Sequence, residues 1–245
     1  MGHETPHVPR LLIVDDEVDT CANLSDIFTD LGYQVDVAYD GPAALKLVQQ
    51  NAYDVALLDL KMPGMSGLEL YREIRRISSG TVAIVVTAYA SSDTAQSVLR
   101  AGAWQIVPKP IDFADLQRQV EKALSQPLVL VVDDDHDLCD SLWDLFREQD
   151  YRVCMAHDVK SAQDRLRQRE YQVVLIDMKL PEASGTEVLQ AVQGENPDAR
   201  TLLITGFAGE MRDLVQQALE SGADAVCYKP FDVEQLLKTV EQLSR

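Results

Sequence analysis

Val82-Ala83-Ile84-Val85-Val86-Thr87 is apolar at every position up to its closing threonine. A strand with one solvated face alternates apolar and polar residues. An unbroken apolar run instead belongs to a strand covered on both sides, as in a parallel sheet between helices. Outward from Val82–Val86, the segments Leu11–Val14, Val35–Ala38, Val55–Leu58 and Gln105–Val107 read as further short strands, separated by amphipathic stretches of helix length. That alternation predicts βα units feeding one parallel sheet.

The whole series of signals then occurs again. The segment from Leu11 to Pro110 reappears from Leu130 to Pro230. Asp15-Asp16 returns as Asp133-Asp134, Asp59 as Asp177 and Thr87 as Thr205, each 118 positions later, while Lys109 returns as Lys229, 120 positions later. The second set of strands reads Val129–Val132, Arg152–Ala156, Val173–Ile176, Thr201–Ile204 and Ala225–Tyr228. Asp112 and Asp232 follow Pro110 and Pro230 and have Asp115 and Gln235 three residues on, which marks them as N-caps of the last helix in each copy. Pro127 must end the first copy's helix. The expected organisation is a tail over 1–9, a domain over 10–125, a linker over 126–128 and a second domain over 129–245. A chain of 245 residues suits two domains of ordinary size.

Composition narrows the function classes. Hydrophobic residues make up 46% and charged residues 25%, the balance of a folded chain with proper cores. Lysine and arginine number 22 against 40 acidic residues, a formal charge of −18, so binding of DNA or RNA would work against the protein's own field. Cys21, Cys139, Cys154 and Cys227 form no C-x-x-C pair, which points to reduced packing thiols rather than a disulfide framework or a zinc site. No apolar run reaches membrane-spanning length and Met1–Arg10 lacks the apolar stretch of a signal peptide; a cytoplasmic location without membrane contact is expected.

The distinctive polar residues all fall at or just after strand ends: Asp15 and Asp16, Asp59, Thr87 and Lys109, and again Asp133, Asp134, Asp177, Thr205 and Lys229. In an open α/β sheet the carboxyl edge is where ligands bind, so each set should converge there. Three carboxylates so gathered repel one another and call for a cation. An all-oxygen set with room for water and phosphate suits Mg²⁺ better than zinc. A carboxylate in such a place can attack phosphorus, while the metal and a lysine neutralise the phosphoryl oxygens and a hydroxyl donates to them.

The motifs Val14-Asp15-Asp16, Leu58-Asp59-Leu60-Lys61-Met62-Pro63-Gly64, Val85-Val86-Thr87-Ala88 and Val107-Pro108-Lys109-Pro110, with their second-copy counterparts, resemble the CheY-like receiver domain of two-component response regulators across residues 10 to 245. The resemblance implies two flavodoxin-like (βα)5 doubly wound domains, each with a five-stranded parallel sheet ordered 2-1-3-4-5. It further implies phosphoacceptors at Asp59 and Asp177, direct Mg²⁺ ligands at Asp16 and Asp134, and water-mediated partners at Asp15 and Asp133. The carbonyls of Lys61 and Lys179 would be further metal ligands, Thr87 and Thr205 switch hydroxyls, and Lys109 and Lys229 phosphate-binding lysines followed by cis prolines. The implied donor is a histidine kinase or histidine phosphotransfer protein. A downstream protein receives the output by contact, with a homodimer or inter-receiver contact left open.

Two departures stand out. Ile106 and Val226 occupy the place where the family commonly has an aromatic switch residue, so coupling would have to run through the segment after Thr87 or Thr205. Glu182 stands where the first copy has Gly64, a change confined to one turn. Taken singly, the acid pairs would be solvated loops or helix caps, and the lone Thr and Lys-Pro a strand end and a surface turn; the matched second copy reverses that reading. His136 in the acidic loop and His157 at the position of Tyr39 read as ordinary loop residues rather than phosphorelay histidines. Cys21 and Cys139 read as small packing residues of the first helix, and Cys227 as core. Trp104, Tyr89 and Phe207 read as partly buried aromatics. The expected role is a non-enzymatic signalling protein with only intrinsic autophosphorylation and autodephosphorylation. This expected protein has no output domain of its own after the last helix, which runs towards Arg245. A fragment of a hybrid sensor kinase or larger regulator is the alternative, although no ATP-binding glycine boxes or histidine-bearing dimerisation helices are seen. An aspartyl-phosphate phosphatase is disfavoured because lysine, not a second acid, stands at Lys61 and Lys179.

Overall fold

The computed structural model describes residues 8–88, 92–181, 183–206 and 212–245. The chain divides into two units, Met1–Ser125 and Gln126–Arg245. In the first, strands β1 (Arg10–Val14), β2 (Gln34–Ala38), β3 (Val55–Asp59), β4 (Val82–Thr87) and β5 (Gln105–Pro108) alternate with helices α1 (Val18–Asp30), α2 (Gly41–Gln50), α3 (Gly67–Ile77), α4 (Ser92–Arg100) and α5 (Phe113–Leu124). The sheet is parallel in the order β2-β1-β3-β4-β5.

The second unit repeats the plan with β6 (Leu128–Val132), α6 (His136–Glu148), β7 (Arg152–Ala156), α7 (Val159–Gln168) and β8 (Val173–Asp177). Two short strands follow, β9 (Lys179–Leu180) and β10 (Ala183–Ser184), then α8 (Gly185–Glu195), β11 (Arg200–Thr205), α9 (Arg212–Glu220), β12 (Ala225–Tyr228) and α10 (Val233–Leu243). Its parallel sheet runs β7-β6-β8-β11-β12, the same order. Both sheets have the flavodoxin-like topology.

Burial explains why the strands lack polar alternation. On β1, Leu12 and Val14 face a core built with Leu58, Val85, Ala44, Leu70 and Ile74, while Leu11 and Ile13 face the other core with Leu57, Ile84, Phe28, Leu116 and Val120. In the second unit, Leu130 and Val132 pack with Ile176, Leu166 and Val188, whereas Val129 and Val131 pack with Leu175, Trp143, Phe146 and Leu236. Each such side chain taken from water contributes roughly 1.5–3 kcal/mol, so both faces of each sheet are committed to helices.

The start of each last helix is as its aspartate predicts: Asp112 accepts from the Asp115 amide at 3.2 Å and Asp232 from the Gln235 amide at 3.0 Å. Two expectations are corrected. Leu128, assigned to the linker, already belongs to β6, because its amide is fixed by the Gln172 side chain at 2.6 Å and its own side chain is buried. The second unit carries the additional antiparallel pair β9–β10 in the loop after β8. Glu182 lies within that loop but outside the described residues.

Away from the carboxyl edge, the first unit holds a polar network. Arg10 donates to Asn51 and to Asp36, each at 2.9 Å, and the Tyr53 hydroxyl donates to Asp36 at 2.8 Å. The matching residues of the second unit are Leu128, Arg169, Cys154 and Tyr171, with Tyr171 buried against Cys154. Among the described residues, no helix is long and apolar enough to cross a membrane.

Candidate functional site

Each site is assembled by strand ends. β1 delivers Asp15 and Asp16, β3 ends on Asp59, β4 ends on Thr87, and β5 is followed by Lys109; β6, β8, β11 and β12 do the same for Asp133, Asp134, Asp177, Thr205 and Lys229. The register pairs Thr87 with Pro108 and Thr205 with Tyr228, and the Lys109 and Lys229 amides donate to the Thr87 and Thr205 carbonyls at 2.9 and 2.7 Å. The peptide bonds Lys109-Pro110 and Lys229-Pro230 are cis.

The predicted carboxylates meet. Asp15, Asp16 and Asp59 each offer an oxygen within 4.8 Å of the others, as do Asp133, Asp134 and Asp177. In each trio two acids are buried, and the other, Asp16 or Asp134, is exposed, so the cluster has an open side. A lysine reaches in from the neighbouring strand end. Lys109 Nζ lies 2.7 Å from Asp15 and 3.4 Å from Asp59, while Lys229 Nζ lies 2.6 Å from Asp133 and 2.8 Å from Asp177. Among the described residues, one lysine in each place is paired with carboxylates of a trio, fewer positive charges than the three acids.

Backbone amides hold the acids in position. Asp15 accepts from the Glu17 amide and Asp133 from the Asp135 amide, both at 3.0 Å. Asp59 accepts from the Lys61 amide at 2.9 Å and Asp177 from the Lys179 amide at 3.0 Å. Burial pushes the Asp59 carboxyl above its ordinary range; Lys109 opposes the rise and the charge of Asp15 adds to it. Burial also pushes up Asp133, although bonds from Lys229 and the Asp135 amide hold it back. For Lys109 and Lys229, burial alone would lower the ammonium pKa, but their carboxylate partners outweigh it and hold both above the ordinary value.

Several residues near the sites gain contacts that spacing alone does not reveal. Gly67 and Gly185 open α3 and α8 directly behind the strand-end acids. A Cβ on Gly67 would come within 2.1 Å of the Asp59 carbonyl oxygen, and one on Gly185 within 2.5 Å of that of Asp177. Their shared offset of 118 was the available signal. Cys21 and Cys139 are buried packing residues, as expected, but their thiols also donate to the Asp15 and Asp133 carbonyls at 3.3 Å. Burial pushes these thiols up to about 11 and about 12. His136 is the first residue of α6 rather than a loop residue, because Asp135 caps that helix by accepting from the Leu138 amide at 3.1 Å.

Ile106 and Val226 are partly buried against their domain cores, as is Trp104. Cys227 is partly buried in the same way. Tyr89 and Phe207 lie outside the described residues.

Comparison with known proteins agrees with this geometry. The model of the response regulator receiver domain matches twice, over residues 11–121 and 129–241. A response regulator receiver protein of Anaeromyxobacter sp. (strain Fw109-5) is 32% identical over 236 residues, covering 96% of this chain and 95% of that protein. The sporulation initiation phosphotransferase F of Bacillus subtilis is 35% identical over 115 residues, 47% of this chain and 93% of that protein. The transcriptional regulatory protein ZraR of Salmonella typhimurium is 37% identical over 115 residues, and the match spans 26% of its length. The chain thus belongs to the response regulator receiver family and is a two-component response regulator built of two receiver domains in tandem.

Proposed function

We propose that each domain accepts a phosphoryl group on its buried strand-end aspartate, Asp59 in the first and Asp177 in the second, and that the chain signals by protein contact rather than by catalysing a reaction on a separate substrate. Receiver domains take phosphoryl groups from histidine kinases or phosphotransfer proteins and bind Mg²⁺ at their acidic site. The observation that carries the reading is the carboxylate trio with its inserted lysine, built twice at the carboxyl edge of a parallel sheet.

The donor set fits a hard divalent cation: three carboxylate oxygens within 4.8 Å, with an exposed acid on the open side and a neutralising lysine. Asp15, Asp16, Asp59 and the Lys61 carbonyl would hold Mg²⁺ in the first site, and Asp133, Asp134, Asp177 and the Lys179 carbonyl in the second. When bound, the ion supplies charge neutralisation on the phosphoryl oxygens. An Asp59 oxygen forms a P–O bond as the donor's P–N bond breaks, and the departing imidazole nitrogen takes a proton. The amides of Lys61 and Lys179 orient the nucleophilic carboxylates, Lys109 and Lys229 bind phosphoryl oxygens, and the Thr87 and Thr205 hydroxyls donate to them. A cytoplasmic location suits a donor of this kind.

Incubation with acetyl phosphate and Mg²⁺, followed by intact-mass measurement, tests the reading. The wild type gains two phosphoryl groups, while Asp59→Asn and Asp177→Asn each gain one. A wild type that gains none overturns the assignment of both sites.

A further inference from the structure

The acidic turns of the two domains share a frame but differ in how the backbone is held. In both, a buried cysteine thiol donates to the carbonyl of the first acid at 3.3 Å. The second domain adds His157, whose Nδ1 lies 3.0 Å from the Asp133 carbonyl oxygen. A carbonyl oxygen only accepts, so Nδ1 carries the proton. The first domain has Tyr39 at the matching position, 49% exposed, and a phenol ring offers no N–H beside Cγ.

His157 is itself held twice, once at its ring and once at its backbone. His136 stacks on it with ring centroids 3.8 Å apart and 31° between planes. The His157 amide donates to Ser161 Oγ at 3.2 Å. The corresponding residues of the first domain, Val18 and Ala43, can do neither. Fixing the Asp133 carbonyl fixes the peptide plane between Asp133 and Asp134, which removes one of the rotations that set where the exposed Asp134 carboxylate can reach. A ligand oriented in advance loses less freedom when it takes a cation.

We infer that His157 is a positioning residue for the second metal site, clamping the Asp133–Asp134 peptide so that the Asp134 carboxylate stands ready for a divalent cation. The inference rests on the Mg²⁺ reading of that site. Both arms of its main test compare variants of the same site, so the lysine pairing is common to them.

MgCl₂ is titrated into the full chain while the amide resonances of residues 133–135 and 15–17 are followed separately by NMR. The expected result is that His157→Tyr weakens Mg²⁺ binding at the second turn by about tenfold, with the first turn unchanged. His157→Asn, which restores an N–H near the δ position, keeps the wild-type affinity within about twofold. In the first domain, V18H/Y39H tightens binding at residues 15–17. An unchanged dissociation constant in His157→Tyr overturns the inference, and so does an equal loss in His157→Asn. Should His157→Tyr fail to fold, absence of tightening in V18H/Y39H overturns it instead. A wild type whose turns do not respond to Mg²⁺ overturns the metal reading as well, a failure distinct from an insensitive His157.

Discussion

Asp59 sits at the end of a strand whose neighbours are apolar, and burial there raises its carboxyl pKa despite the approach of Lys109. A carboxyl whose folded pKa exceeds its unfolded value stabilises the fold while protonated. That contribution is complete below the unfolded pKa and is lost as pH rises through the folded one. In the metal-free first domain the ionised form of Asp59 is therefore penalised by desolvation. Asp59→Asn should raise its Tm by a few degrees at pH 7 in the presence of a chelator, with the gain shrinking towards acid pH. Added Mg²⁺ should raise the Tm of the wild type and leave the variant nearly unchanged. Calorimetry at two pH values with and without Mg²⁺ measures both effects. The acids, threonines and lysines of the site were legible in the sequence because each falls at a strand end and each occurs twice. His157 was not, because its partner is a backbone carbonyl 24 residues earlier, and no pattern of residue types records such a bond.

Among the elements, the strands were read nearly to their ends because unbroken apolar runs leave little else for a chain to do. The final helices were read from their aspartate caps. The β9–β10 pair escaped because two-residue strands carry no periodicity; the pairing depends on how the loop turns back so that Ser184 opposes Lys179. Gly67 escaped for a similar reason, since the need for it lies in the approach of α3 to the Asp59 carbonyl. Gly67→Ala should cost the first domain about 1–3 kcal/mol and reduce labelling of Asp59 by acetyl phosphate. Gly194→Ala in α8, where an added Cβ meets nothing within 4 Å, should be neutral or stabilising by about 0.5–1 kcal/mol. Urea denaturation of the two variants, read alongside intact mass, separates a packing clash from a general intolerance of helix glycines to substitution.

At the scale of the whole molecule, each unit owns complete apolar cores on both faces of its sheet. Fragments 1–125 and 126–245 should each fold alone and unfold in a single cooperative transition, as followed by circular dichroism. A fragment that stays unfolded would refute this autonomy. The repeat made the two-unit plan readable, because duplicated strand ends at a constant offset leave few other architectures. What it concealed is how far the units have diverged where no phosphoryl chemistry constrains them. Arg10 and Tyr53 both donate to Asp36, and Arg10 also to Asn51, whereas Leu128, Cys154, Arg169 and Tyr171 occupy the same four places without those bonds. A crossover between the halves that joined one copy's opening strand to the other's second strand would set an arginine against a cysteine, or an aspartate against a leucine. Either junction would lose the Arg10–Asp36 ion pair, so the two copies cannot exchange opening strands without losing a contact.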